Sequence, residues 1–207
     1  MNIVFLGPPG AGKGTQAQLL SKRLNIPHVS TGEILREYSQ EDTDLGKEIK
    51  SKIDNGLLIS NETLIKIVSD RLSRSDCNEG VILDGYPRRL QQAVDLDSII
   101  NIDVVVKIDL EHDAIVERLL SRKVCVTCKQ SHCTSDDICE CGGSLSKRVD
   151  DNETAILARI KGYVDNIAPI TEYYIDGEHA LIYLENNRTI EDTECELWVQ
   201  LESCIYT

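Results

Sequence analysis

The feature that most constrains this chain is a nine-residue run, Gly7-Pro8-Pro9-Gly10-Ala11-Gly12-Lys13-Gly14-Thr15, directly after an apolar segment at residues 2–6. The run reads G-x-x-x-x-G-K with its hydroxyl residue one position late, since Gly14 follows Lys13 and Thr15 comes next. Glycines there let backbone N–H groups curl around an anion, and a helix starting at the end of the run points its positive end at the same place. The apolar segment predicts a buried strand. Ala17, Leu19, Leu20 and Leu24, with Lys22 and Arg23 near the end, predict a helix over 15–24. In that setting Lys13 reaches the outer phosphates of a nucleoside triphosphate, and Thr15 lends its hydroxyl to phosphate or Mg²⁺.

The rest of the chain continues the alternation. Apolar runs at 80–83, 103–110 and 180–184 predict further buried strands. Periodic stretches at 111–121, 152–175 and 190–204 predict helices, with Pro169 kinking or interrupting the second. Strands alternating with helices over 207 residues, 41% of them hydrophobic, predict an α/β fold: a P-loop NTPase-type parallel sheet flanked by helices. Two segments break the pattern: a polar, mainly helical one at 30–59 and a cysteine-rich one at 122–149 without apolar periodicity. Both are predicted to be inserts on a core of residues 1–29, 60–121 and 150–207. The chain shows no internal repeat.

Charge narrows the function classes. With 22 Lys and Arg against 35 Asp and Glu, the formal charge is −13, which is wrong for generic binding to a polyphosphate backbone. Aromatics at 4% provide no stacking platform for single strands. No nucleic-acid partner is expected. No window approaches the roughly 18 apolar residues of a membrane span, and the first residues lack the flanks of a secretory leader, so a cytoplasmic protein without a membrane partner is expected.

A second motif follows the 80–83 strand: Asp84-Gly85-Tyr86-Pro87-Arg88-Arg89. A carboxylate at the C-terminal end of a strand, beside a phosphate loop, is placed to organise Mg²⁺. Arg88 follows on a turn set by glycine and proline, and a planar guanidinium suits bidentate phosphate contact.

The 7–15 run, Ser30-Thr31-Gly32-Glu33-Ile34-Leu35-Arg36, then Asp84–Arg88 with Gln92 four residues on, Arg118 and Arg122, the cysteine-rich segment, and Lys147-Arg148-Val149-Asp150-Asp151 with Arg159 beyond together closely resemble the adenylate kinase family of the bacterial type with an inserted lid. The order and spacing of five motifs, over nearly the whole chain, carry the resemblance. It implies reversible, Mg-dependent phosphoryl transfer from ATP to AMP giving two ADP, by a monomer. The 30–59 insert becomes the monophosphate-binding segment and 122–149 the lid. Gly10, Ala11, Gly12, Lys13, Gly14 and Thr15 would hold the ATP phosphates, with Arg118 against the adenine, Ser131 and His132 from the lid, and residues 186–188 including Arg188 completing the pocket. Thr31, Arg36, Leu57, Leu58, Ile59, Gly85, Tyr86, Pro87, Arg88 and Gln92 would form the AMP pocket, with Gln92 reading the base. Arg122, Arg148 and Arg159 would join Lys13, Arg88 and Asp84 around the transferring group, Arg148 and Arg159 also reaching AMP. An acidic chain that keeps these cations inside its motifs concentrates positive charge where phosphates meet.

The sequence departs from the family pattern in places. Leu157 stands where many relatives carry another arginine, and the lid is short. Two other readings stay open: the same fold acting on UMP or CMP, and a non-catalytic zinc-ribbon module that holds ATP structurally. Thr31 and Gln92 favour adenine, and the arginine set argues against a passive binder.

Eight cysteines are many for a reducing compartment, and five lie between Cys125 and Cys141. That density favours a metal over disulfides. The lid has too few apolar side chains for a core of its own, and four thiolates suit a closed structural Zn²⁺ site. Cys125, Cys128, Cys139 and Cys141 are the first choice. Cys133 in place of Cys139 is the alternative, because a C-x-C pair strains the usual knuckle. Cys77, Cys195 and Cys204 are expected to be buried small hydrophobes.

Overall fold

The computed structural model describes residues 1–205. In chain order the elements are β1 (Asn2–Leu6), α1 (Lys13–Leu24), β2 (His28–Ser30), α2 (Thr31–Tyr38), α3 (Asp44–Asp54), α4 (Asn61–Leu72), a single 3₁₀ turn (Ser75–Cys77), β3 (Val81–Asp84), α5 (Leu90–Asp97), β4 (Val104–Asp109), α6 (His112–Ser121), β5 (Arg122–Cys125), β6 (Ser131–Cys133), β7 (Leu145–Lys147), α7 (Glu153–Asp176), β8 (Ala180–Glu185) and α8 (Ile190–Ile205). Five strands form one parallel sheet in the order β2-β3-β1-β4-β8. The α/β parallel sheet expected from the sequence is therefore present.

The sheet explains the apolar runs. Strands covered on both faces need apolar residues at successive positions, and β1 supplies them. Val4 and Leu6 face a core layer with Leu83, Tyr86, Val105, Ile170 and Tyr174. Ile3 and Phe5, pointing the other way, pack with Leu20, Val106, Ile182 and Leu197 under α1 and α8. The chain leaves central β1 for β2 and β3 on one side, while β4 and β8 lie on the other. Ligand crevices in open parallel sheets form outside the C-terminal ends of strands at such a switch point, and the 7–15 run sits there.

Two sequence readings need correction. Pro169 lies inside α7, which runs unbroken for 24 residues. Tertiary packing overrides the local penalty, because Ile170 and Tyr174 just beyond the proline are buried in the main core. Cys195 and Cys204 are exposed and Cys77 is half-buried, so the expected burial of these three fails. On α8 the buried stripe passes through Leu197 and Leu201, leaving both helix cysteines to solvent.

Within 30–59 lie α2 and α3. Within 122–149 lies a separate antiparallel sheet, β6-β5-β7. Its apolar side chains are mostly outside: Val126, Ile138 and Val149 are exposed, and the small interior is Cys125, Cys139 and Leu145 with Cys128 against it.

Candidate active site

The phosphate loop turns because Gly12, at the N-cap of α1, sits at φ 88°. A Cβ there would meet Asn186 Nδ2 at 2.4 Å, so both the backbone conformation and the space demand glycine. Asn186, which is buried, explains the crowding: its Nδ2 donates to the Ala11 carbonyl at 2.7 Å, and its backbone carbonyl accepts from Arg118 Nη2 at 3.0 Å. The turn that follows β8 is thus tied to the loop. Sequence reasoning pointed to 186–188 but not to this side chain.

Lys13 opens α1. Its Nζ donates to the Gly7 and Pro8 carbonyls at 2.9 and 2.8 Å. Burial pulls its pKa from 10.5 down to about 8, against the opposing pull of Asp84. Asp84 ends β3 next to the loop: a Cβ on Gly14 would lie 3.3 Å from its Oδ2. Burial pushes this carboxyl up, but the His28 imidazole 3.6 Å away, with Lys13 and Arg88, outweighs it and holds the pKa at about 2. Asp84 is therefore ionised throughout the neutral range. His28 escaped sequence reasoning because nothing in a three-residue polar strand marks it.

The loop, α2, the 84–92 segment, α7 and the lid sheet enclose one cavity of about 810 Å³. Most of the residues singled out from the sequence line it: Gly10, Gly12, Lys13, Gly14 and Thr15 at one end, Thr31, Arg36, Leu57, Leu58, Ile59, Gly85, Pro87, Arg88 and Gln92 at the other, with Arg118, Arg122, Ser131, His132, Arg148, Arg159 and Arg188 along the walls. Ala11 and Tyr86 do not line it, being fully buried in the two core layers. Leu157 is exposed and lies outside the cavity wall.

At the α2 side, Thr31 Oγ1 donates to the Asp84 carbonyl at 3.3 Å and Arg88 Nε to the Gly85 carbonyl at 2.8 Å. Gln92 is held at both ends: its Oε1 accepts from the Arg88 backbone N–H at 2.7 Å, and its Nε2 donates to Asn61 Oδ1 at 2.9 Å. Asn61 also accepts from Arg89 at 3.1 Å.

The arginines converge on two adjacent carboxylates. Asp151 accepts from Arg122 Nε and Nη2 at 2.7 and 2.5 Å and from Arg159 Nη1 at 3.0 Å. Asp150 pairs with Arg159 and, at 3.4 Å, with Arg36. Arg148 makes no ion pair among the described residues, and burial, then its neighbours Arg122 and Arg36, bring its pKa down to about 9 against the pull of Asp151 and Asp150. Burial also lowers the pKa of Arg36 and of Arg88, with other guanidiniums adding to it. A cluster of cations depressed by one another is an anion site, because a bound dianion relieves the repulsion.

In the lid, Sγ atoms of Cys125, Cys128, Cys139 and Cys141 lie within 4.8 Å of one another. Cys125–Cys141 and Cys128–Cys139 are 3.5 and 3.6 Å apart. Tetrahedral zinc with bonds of about 2.3 Å spaces its sulfurs by about 3.8 Å, so the set fits. Backbone N–H groups of Cys128 and Thr127 point at Cys125 Sγ and bring that thiol down to about 6. A Cβ on Gly143 would meet the same sulfur at 2.6 Å, so the knuckle closes only on glycine. Cys133 stands apart, its Sγ 3.6 Å from the Arg118 carbonyl. Side chains alternate along β6, which turns His132 toward the sulfurs and Cys133 away. The geometry gathers Cys139 rather than Cys133.

A family model described as adenylate kinase matches residues 5–179. Curated relatives carrying that name include one from Thermoanaerobacter sp. (strain X514), 40% identical over 93% of this chain and 94% of its own length. Another, from Treponema denticola, is 45% identical over 84% of this chain and 87% of its own. A third, from Kosmotoga olearia, is 40% identical over 98% of this chain and its full length.

Proposed function

The chain belongs to the adenylate kinase family, and from that membership we propose that it transfers the terminal phosphoryl group of Mg·ATP to AMP, reversibly, giving two ADP. One observation carries this reading further than the family name. In a chain of net charge −13, Lys13, Arg36, Arg88, Arg122, Arg148 and Arg159 all face a single cavity large enough for two nucleotides. A binder of one ATP has no use for that many cations beyond the loop.

The division of labour follows the cavity. Residues 10–15 hold the ATP phosphates, and Arg118, fixed by Asn186, lies against the donor base with Ser131, His132 and Arg188 around it. Thr31, Arg36, the 57–59 strip, Gly85, Pro87, Arg88 and Gln92 receive AMP, while the buried Tyr86 anchors their turn in the core. The internal hydrogen bonds of Gln92 use one N–H and one lone pair of its amide, leaving the second of each for the base. Lys13, Arg88, Arg122, Arg148 and Arg159 surround the transferring group.

The chemistry asks the protein for alignment and charge, with no covalent step. An AMP phosphate oxygen attacks the terminal phosphorus while the bond to the bridging oxygen breaks. The guanidiniums neutralise the equatorial oxygens, and enclosure keeps water from acting as acceptor. Asp84, ionised and beside Gly14 of the loop, is the group to hold Mg²⁺ through its waters. That ion would supply positive charge to the phosphates when bound. The 30–59 and 122–149 segments act as inserts closing on a core of 1–29, 60–121 and 150–207.

Cys125, Cys128, Cys139 and Cys141 bind structural zinc that holds the lid together in place of an apolar core. Eight unpaired cysteines fit a reducing cytoplasm, and no helix among the described residues is long and apolar enough to cross a membrane. The working unit is a monomer, since one chain supplies the whole cavity. A coupled assay of ADP formation with AMP, UMP, CMP and GMP tests the function. AMP is the expected acceptor; equal or faster turnover with UMP or CMP, or none with any, refutes it.

A further inference from the structure

The cavity and the four-cysteine centre share one side chain. His132 lines the cavity, and its Nε2 lies 3.4 Å from Sγ of Cys139, which is buried. Nothing else competes for the ring from its strand neighbour. Lys123 pairs with His132 across β5 and β6, but its Nζ is spent on the Ser135 and Asp136 carbonyls and on Asp137. We propose that His132 couples the metal centre to nucleotide binding: one imidazole donates a hydrogen bond to a metal-bound thiolate and forms part of the wall that meets ATP.

The argument rests on the zinc and ATP assignments above. A metal-bound thiolate has no proton and can only accept, so contact with Cys139 requires the hydrogen on His132 Nε2. Metal occupancy thereby fixes both tautomer and ring orientation at the cavity wall. Without metal, nothing fixes the Cys139 sulfur as the acceptor for the ring, and His132 loses that constraint. Binding energies linked through a shared group are reciprocal. Metal that orders His132 for the nucleotide obliges the nucleotide to hold the metal more tightly. His132 is thus a positioning residue for the donor site and an outer-layer ligand partner for the metal.

The test is release of zinc from the purified full-length protein to a chromogenic chelator, with and without a non-hydrolysable ATP analogue at a concentration saturating for each variant. In the native protein the analogue is expected to slow release about fivefold or more, whereas AMP alone leaves the rate unchanged. His132→Ala is expected to release zinc about 10- to 100-fold faster, with the analogue's effect lost. His132→Gln, whose amide N–H can reach the same sulfur, is expected to restore most of the retention, and it carries the test if the alanine variant does not fold. Equal release rates in the native and alanine proteins overturn the inference, and so does an analogue effect that survives in His132→Ala. Protein that carries no zinc when purified under reducing conditions overturns the metal assignment itself, a different result from equal rates.

Discussion

Lys13→Met separates what the lysine does for the reaction from what it does to the fold. For the reaction, Lys13 Nζ is the one cation rooted in the phosphate loop. Deleting a single donor that acts on developing charge typically lowers kcat by about 10²–10³-fold, and a loss of at least about a hundredfold is expected. For the fold, the sign is the reverse. A lysine whose pKa falls from 10.5 unfolded to about 8 folded binds its proton less tightly in the native state. At pH 7 both states are protonated, and the folded one carries a penalty of about 2.5 × 1.36, or roughly 3 kcal/mol, as an upper bound. The penalty is relieved as pH rises from about 8 toward 10.5. Methionine removes it entirely and forfeits two hydrogen bonds to carbonyls, worth about 1 kcal/mol each net. The variant should therefore melt at or slightly above the wild-type temperature at pH 7, and that advantage should vanish near pH 10. Steady-state kinetics and thermal melts at pH 7 and 10 measure both halves. Near-native kcat refutes the role in transfer. A Tm several degrees below wild type at pH 7 refutes the desolvation argument.

Other variants probe the remaining contacts. Arg88→Ala should raise the KM for AMP and lower kcat together, because a phosphate clamp also aims the attacking oxygen; a change in KM for ATP alone would contradict it. Gln92→Ala should raise the AMP KM, blur preference against UMP and CMP, and cost about 1–3 kcal/mol of stability, since losing the buried amide leaves the Arg88 N–H unpaired and removes one of the two hydrogen bonds that Asn61 Oδ1 accepts; unchanged base preference would move recognition elsewhere. Asp151→Asn should lower Tm by about 6–12 °C, the result of about 3 kcal/mol lost from a buried three-way ion pair, and added AMP should recover part of it; an unchanged melt would show the pair to be energetically idle. Metal analysis should find about one zinc per chain, retained in Cys133→Ser and lost in Cys139→Ser; the opposite pattern would reinstate Cys133 as a ligand.

The fold was largely legible in the sequence because a two-sided parallel sheet forces apolar residues into unbroken runs. β1, β3, β4 and β8 announce themselves that way. β2, with only Val29 buried between His28 and Ser30, does not, and neither do the three- and four-residue lid strands, in which only Cys125 and Leu145 are buried. At the site, the family resemblance picks out the arginines, and residue type and spacing mark the loop and the cysteine group. They were not enough to choose between Cys133 and Cys139, because spacing is blind to the two-residue alternation of a strand. Asp150 and Asp151 stand in the 147–151 motif with nothing in the sequence to assign them a role. A sequence displays cations and carboxylates without saying which face each other, and only the turn into α7 shows that two adjacent acids take up three arginines.

That arrangement has a consequence for selectivity among anions. The cavity arrives with its own competitor: two carboxylates already occupy much of the hydrogen-bonding capacity of Arg36, Arg122 and Arg159. An incoming anion must out-bid a tethered carboxylate that loses almost no translational freedom by staying. Chloride, a carboxylic acid or a singly charged phosphodiester offers no more charge than the acid it would displace. A terminal phosphate, doubly charged and with three oxygens, does. On the proposed function, the acids set a threshold in charge that a terminal phosphate crosses and a singly charged anion does not.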